Sequence, residues 1–114
     1  MVRRTTTETI MSFYDGATVY TRTVATDISD QTWHHVAVTY NGTTAQLYID
    51  GSAAGAALTA SLNYATWSFF KVPGNEYYLD GFIDNVGYWH KCLDSDEVSA
   101  LYAAENAGLE YPWE

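Results

Sequence analysis

A chain of 114 residues with 5 Lys+Arg against 14 Asp+Glu carries a net charge of −9, with histidine neutral. It lacks the clustered cations that release counterions from phosphates, which excludes nucleic acid and disfavours an anionic membrane surface as partner. The length suits one domain with a two-layer core, and a single cysteine, Cys92, excludes an internal disulfide.

Aromatic residues make up 16% of the chain, with ten Tyr and four Trp, which suits half-buried sheet positions and equally sugar- or protein-binding surfaces. Calcium or a neutral glycan fits the acidic balance better than an anion does. A lone thiol is compatible with the cytosol, a virus particle or bacterial secretion without disulfides, and Cys92 itself reads as a small apolar packing residue. Met1-Val2-Arg3-Arg4 leads into TTTET rather than an apolar run, so no signal peptide is read. No apolar segment approaches the roughly eighteen residues of a membrane span, and no membrane insertion is expected.

In chain order, residues 1–8 form a polar, threonine-rich arm, and one domain is expected over 9–114. Residues 9–14 and 17–26 read as strands separated by Asp15-Gly16, and Asp27-Ile28-Ser29-Asp30 as a turn. Residues 33–50 form a hairpin. Val36, Val38 and Tyr40, then Ala45, Leu47 and Ile49, are apolar or small at every second place, the period of a strand with one face on a core. Asn41-Gly42 supplies the hairpin turn and Asp50-Gly51 a second one, both through positive φ. Asn41-Gly42-Thr43 is also a glycosylation sequon, but the turn already explains it.

Residues 52–62 are rich in Ala and Gly and read as short strand or loop. Residues 63–70 are irregular and aromatic, Pro73-Gly74-Asn75 is a turn, and residues 77–88 read as a long strand with Asp80-Gly81 as a bend inside it. Then the period changes. Asp94 caps a helix, Glu97 completes a capping box, and Leu93 against Val98 forms a hydrophobic staple. Val98, Leu101 and Tyr102 make its buried stripe, and Asn106-Ala107-Gly108 stops it.

Two of these stretches, TWHHVAVTYNGTTAQLYIDG (32–51) and YLDGFIDNVGYWHKCLDSDEVSALY (78–102), resemble the signatures of laminin G-like domains of the concanavalin A-like lectin/glucanase fold. In the second, Gly81, Phe82, Ile83, Asp84, Val86, Trp89, Leu93 and Glu97 occupy the matching places. The resemblance covers about residues 30–105. It implies an all-β fold: an antiparallel β-sandwich of the concanavalin A-like jelly-roll type with a short C-terminal helix. Such domains carry a longer N-terminal part before the WHHVAV strand. An excised or shortened domain, or sheets completed by a neighbouring chain, would each account for the difference, and a homo-oligomer or larger assembly is expected.

Asp84 shares its side of the expected strand with Phe82, Val86 and Tyr88, and a carboxylate on a core-facing side needs a cation or several donors. Two readings stand: an Asp bonded to loop N–H groups, or a structural calcium, which the resemblance implies, held by Asp84 with Asp80 or Asn85. Asp94-Ser95-Asp96-Glu97 is not an EF-hand, since Val98 and Ser99 stand where a ligand and the glycine belong. His34 and His35 are adjacent on a strand and point to opposite faces, so each is expected to pack with one hydrogen bond rather than to share a metal. His90 stands beside Trp89 without an identified partner. Trp33 and Trp89 are assigned to the core.

The loop aromatics Tyr64, Trp67, Tyr77 and Tyr78, with Phe70 beside them, are the candidates for stacking on a sugar, with Asn75 (and Asn63 or Glu76) as polar partners. No E-x-D-x-x-E strand motif, HExxH, GxSxG or phosphate-binding glycine loop is present, so the chain is not read as an enzyme. The expected function is non-catalytic recognition of a glycan or protein, extracellular or on a virion surface. The alternative is a structural decoration or appendage subunit of an assembly, with a glycoside hydrolase a distant third.

Overall fold

One strand with buried residues on both faces organises the molecule. In the computed structural model, which describes residues 2–4, 8–14, 17–28, 30–61 and 81–108 (2–4 and 14 in backbone only), β1 is Val2–Arg4, β2 Thr9–Tyr14 and β3 Val19–Val24. β4 is Val36–Tyr40, β5 Thr44–Ile49, β6 Ser52–Ala53 and β7 Leu58–Thr59, and α1 is Ser95–Asn106. The first sheet runs β1-β2-β3 and the second β4-β5-β6, with β7 also pairing β5; every pairing is antiparallel. On β5, Ala45, Leu47 and Ile49 pack with Met11 and Val24 of the first sheet and with Ala54. Tyr48, on the opposite face, packs with Leu93, Val98 and Leu101. The layers are therefore sheet, sheet and helix, an all-β sandwich with one C-terminal helix.

The two hairpin turns work by different means. Asp50 and Gly51 have φ of 51° and 76° between the paired residues Ile49 and Ser52, the two-residue turn expected of Asp-Gly. Gly51 is required twice, because a Cβ there would also lie 2.8 Å from Tyr102 Cδ1. At the other turn only Gly42 has positive φ, at 100°. Asn41 acts through its side chain instead: its Oδ1 accepts from the Thr43 and Thr44 amides and from the Thr43 hydroxyl.

The helix start is as its sequence indicates. Asp94 Oδ1 accepts from the Glu97 amide at 2.9 Å, and Glu97 Oε2 accepts from the Asp94 amide at 3.0 Å. Leu93 and Val98 are buried together beside Leu101, while Ala104 completes the stripe and Tyr102 is only half-buried. Gly108 at φ 68° ends the helix, its N–H donating to Glu105 O.

Several expectations need correction. Residues 2–4, placed in a loose arm, pair with β2. β3 and β4 are shorter than expected, and residues 81–88 form no strand ladder, with Asn85 at φ 52° interrupting any extended run. Trp33 is 70% exposed rather than in the core, because residues 33–35 lie before β4 and outside the alternating register. Cys92 is exposed, not packed. Trp89 is half-buried at the edge of the helix-side cluster.

Removing the cap by Asp94→Ala leaves the Glu97 amide without its acceptor. It is expected to destabilise the chain by about 1 kcal/mol. A urea titration measures this as a lower midpoint at unchanged slope; an unshifted midpoint would show that the box contributes nothing.

Candidate functional site

Of the residues expected to bind, Tyr64, Trp67, Asn75, Tyr77, Tyr78 and Asp80 lie outside the described residues, as do Asn63, Phe70 and Glu76. Asp84 and Asn85 are described, and both are exposed. The side of the chain assigned to Asp84 does not face a core: Phe82 is 90% exposed, Val86 59% and Tyr88 61%. The burial argument for a cation at Asp84 therefore loses its premise, since a solvated carboxylate needs no compensation. Asp84 and its neighbour Asn85 alone fall well short of the roughly six to eight oxygens that calcium takes. Among the described residues, no three His, Cys, Asp or Glu side chains converge to hold a metal ion.

The most connected polar cluster lies instead where the loop before β4 meets the Asp50-Gly51 turn. His34 and His35 diverge, as adjacent residues on an extended chain must. His34 Nδ1 lies 2.8 Å from Asp50 Oδ2, and its Nε2 lies 3.0 Å from Asp30 Oδ1. Asp50 also accepts from the His35 amide at 3.0 Å, while its own amide donates to His35 O at 2.8 Å. Asp30 Oδ1 accepts further from the Thr32 hydroxyl at 2.6 Å and the Thr32 amide at 3.0 Å. On the other side, His35 Nε2 lies 3.4 Å from Glu105 Oε2, and its ring leans on Tyr102 of α1, with centroids 5.8 Å apart. The pair thus joins the loop, the turn and the helix.

Electrostatics follow from this geometry. The bond to Asp50 is the largest cause holding the His34 proton above its ordinary value, opposed by burial and helped by Asp30. The Thr32 hydroxyl, then His34 and the Thr32 amide, hold Asp30 down to about 2. Thr32 Oγ1, His34 Nε2 and Asp50 have the elements of a nucleophile–imidazole–carboxylate relay, with the first contact at 3.2 Å. The arrangement does not work as one. The Thr32 hydroxyl donates its proton to Asp30 rather than to the ring, and while His34 is protonated both of its N–H groups are committed to carboxylates.

A second feature is a largely apolar concavity of about 240 Å³ lined by Trp89, Lys91, Leu93 and Glu97. Lys91 and Glu97 form an ion pair across it. That pairing raises the Lys91 pKa and lowers that of Glu97, which is already engaged by the Asp94 amide.

Sequence reasoning did not find Asp30 and Asp50 as partners of His34. The signal was available: Asp30 and His34 are four apart, and a hairpin pairing Val36 with Ile49 sets Asp50 beside His35.

Comparison with known proteins bears on the fold. The family model for the concanavalin A-like lectin/glucanases superfamily matches residues 2–99. No curated protein matches the chain. Among solved structures, an S-layer domain-containing protein (residues 221–444) from Clostridium thermocellum ATCC 27405 is similar, with a TM-score of 0.58 and 23% identity. The match covers 83% of this chain and 51% of that one, so this chain spans about half the length of the solved relative. At that identity the likeness shows the fold. No helix among the described residues is long and apolar enough to cross a membrane.

The His34 cluster sets a pH window. Because the folded state raises the His34 pKa above 6.5, its contribution is complete below that value and is lost as pH rises through the folded value. Asp30 works in the opposite sense: its contribution is present above 3.8 and is lost as pH falls through about 2. Chemical denaturation of the native chain and of His34→Gln should therefore differ most near about pH 6 and converge in alkali. A gap that stays constant with pH would contradict the assignment.

Proposed function

Because the chain belongs to the concanavalin A-like lectin/glucanases superfamily, we propose that it is a non-catalytic recognition module that binds a glycan or protein in an extracellular or cell-surface setting. The observation that carries this reading is the run from Phe82 to Tyr88. Phe82, Ile83, Val86 and Tyr88 are all exposed within seven residues, without a strand ladder. Scattered single apolar residues on a surface are ordinary, but four exposed within seven residues support an interaction site here. The S-layer setting of the similar structure is consistent with a place at a surface. The aromatics Tyr64, Trp67, Tyr77 and Tyr78, with Asn75, are the proposed sugar contacts; a calcium at Asp84 with Asp80 or Asn85 rests on the family resemblance alone, since Asp84 and Asn85 are solvent-exposed, and the chelator arm of the test below decides it.

A glycosidase would need two carboxylates free to flank a scissile bond. Asp30 and Asp50, which His34 brings near each other, are both committed to that imidazole. A second reading, a structural subunit of a homo-oligomeric assembly such as a virus particle, is favoured by Val36 and Val38. Both are partly exposed on β4, which pairs only with β5 among the described strands.

The test uses the native chain and the Phe82→Ser/Val86→Ser variant on a glycan array, with calcium and with chelator, alongside light scattering. Both positions are exposed, so stability should change by no more than about 0.5 kcal/mol each. Array binding that the variant loses supports recognition, and its survival in chelator would remove calcium from the account. A blank array with an oligomer that the variant dissociates would favour assembly. A blank array from a monomer would contradict both readings.

A further inference from the structure

The short loop from Asp30 to His34 is held more firmly than its exposure requires. Gln31 sits at φ 68°, a left-handed conformation that a residue with a Cβ adopts at a cost. Asp30 folds back on Thr32 through two hydrogen bonds, and His34 ties Asp30 to the Asp50-Gly51 turn. Held in this way, Trp33 stands 70% exposed, beside a His34 side chain that is only 15% exposed. We propose that His34 is a proton-operated latch: as the imidazolium it locks the Trp33 loop to the β5–β6 turn, and on losing its proton it releases the loop and with it the presentation of Trp33.

The chemistry of the ring requires two states. Both nitrogens face carboxylate oxygens, and only the imidazolium has an N–H for each. A neutral ring keeps one N–H and turns a lone pair towards the other carboxylate, so one of the two contacts must open. Asp50 is fixed by the His35 amide and by its place in the turn, whereas Asp30 is half exposed on the loop. The Asp30 contact is therefore the one that opens. The charged groups facing His34 are Asp30 from the loop and Asp50 from the turn; Glu105 of α1 faces His35 on the opposite side. The proton on His34 is held above the ordinary 6.5, so the latch is closed below that value and opens as pH rises through the folded His34 value. Loop release stands on this geometry alone, while its effect on a ligand rests on the recognition function proposed above.

The experiment is an NMR titration of the whole chain. It follows the His34 ring together with the amide protection factors of Thr32 and Trp33, so it needs no ligand and its result is independent of the glycan array. The expected result is a His34 midpoint above 6.5, with loop protection falling at that same midpoint. For each pH unit by which the midpoint exceeds the ordinary value, protonation should favour the closed loop about tenfold. Asp30→Asn, an exposed change, should lower the His34 midpoint and leave the loop equally open at every pH. The proposal is overturned if His34 titrates at or below its ordinary value. Loop protection that is flat through the His34 transition, or that follows His35 or His90 instead, overturns it as well.

Discussion

The burial of β5 on both faces is the constraint on which the rest of the structure depends. A strand in a two-layer sandwich ordinarily covers a core with one face and meets water with the other. Here Leu47 and Tyr48, consecutive residues pointing opposite ways, are both buried: one beneath the first sheet, the other beneath α1. The second sheet is thus a wall shared by two apolar clusters. It has little freedom to slide, because a shift of one residue would exchange the two faces and place Gln46 and Tyr48 where Ala45, Leu47 and Ile49 now pack.

That fixed wall positions the polar cluster. The register pairing Val36 with Ile49 delivers His35 to the start of the Asp50-Gly51 turn, and the turn's positive φ values aim Asp50 back at His34 and at the His35 amide. The absence of a Cβ at Gly51 lets Tyr102 close on the same turn. Tyr102 and Glu105 then flank His35. Packing thus comes first, and the charged network assembles on the edge that packing leaves. The exposed run from Phe82 to Tyr88 lies outside both clusters, with the Tyr88 ring edge-on to His90.

Legibility in the sequence followed the range of the forces involved. β2, the hairpin strands, the Asp50-Gly51 turn and the capped helix were all readable because period, turn chemistry and caps are local signals. β1 is not legible because Arg3 and Arg4 carry no apolar alternation; their pairing with β2 places them, not composition. Trp33 stands outside the core because the alternating ladder begins only at Val36. The strand read over 77–88 failed in its described part at Asn85, whose positive φ no pattern of apolar residues reveals. The candidate site divides in the same way. That His34 and His35 diverge follows from chain geometry and Asp30 stands four residues from His34, whereas the carboxylate of Asp50 reaches His34 only once the hairpin register is set. The loop aromatics chosen for sugar stacking lie outside the described residues.

The shared wall is tested most directly by native-state hydrogen exchange on Leu47→Ala. The substitution removes side-chain contacts only from the face that packs on the first sheet, at a cost of about 2–5 kcal/mol. If β5 couples the two clusters, the amides of α1 at Leu101 and Tyr102 lose protection in parallel with those of Met11 and Val24, although the helix does not touch the altered side chain. Helix amides that keep their native protection while the first sheet loosens would show two independent units and contradict the account.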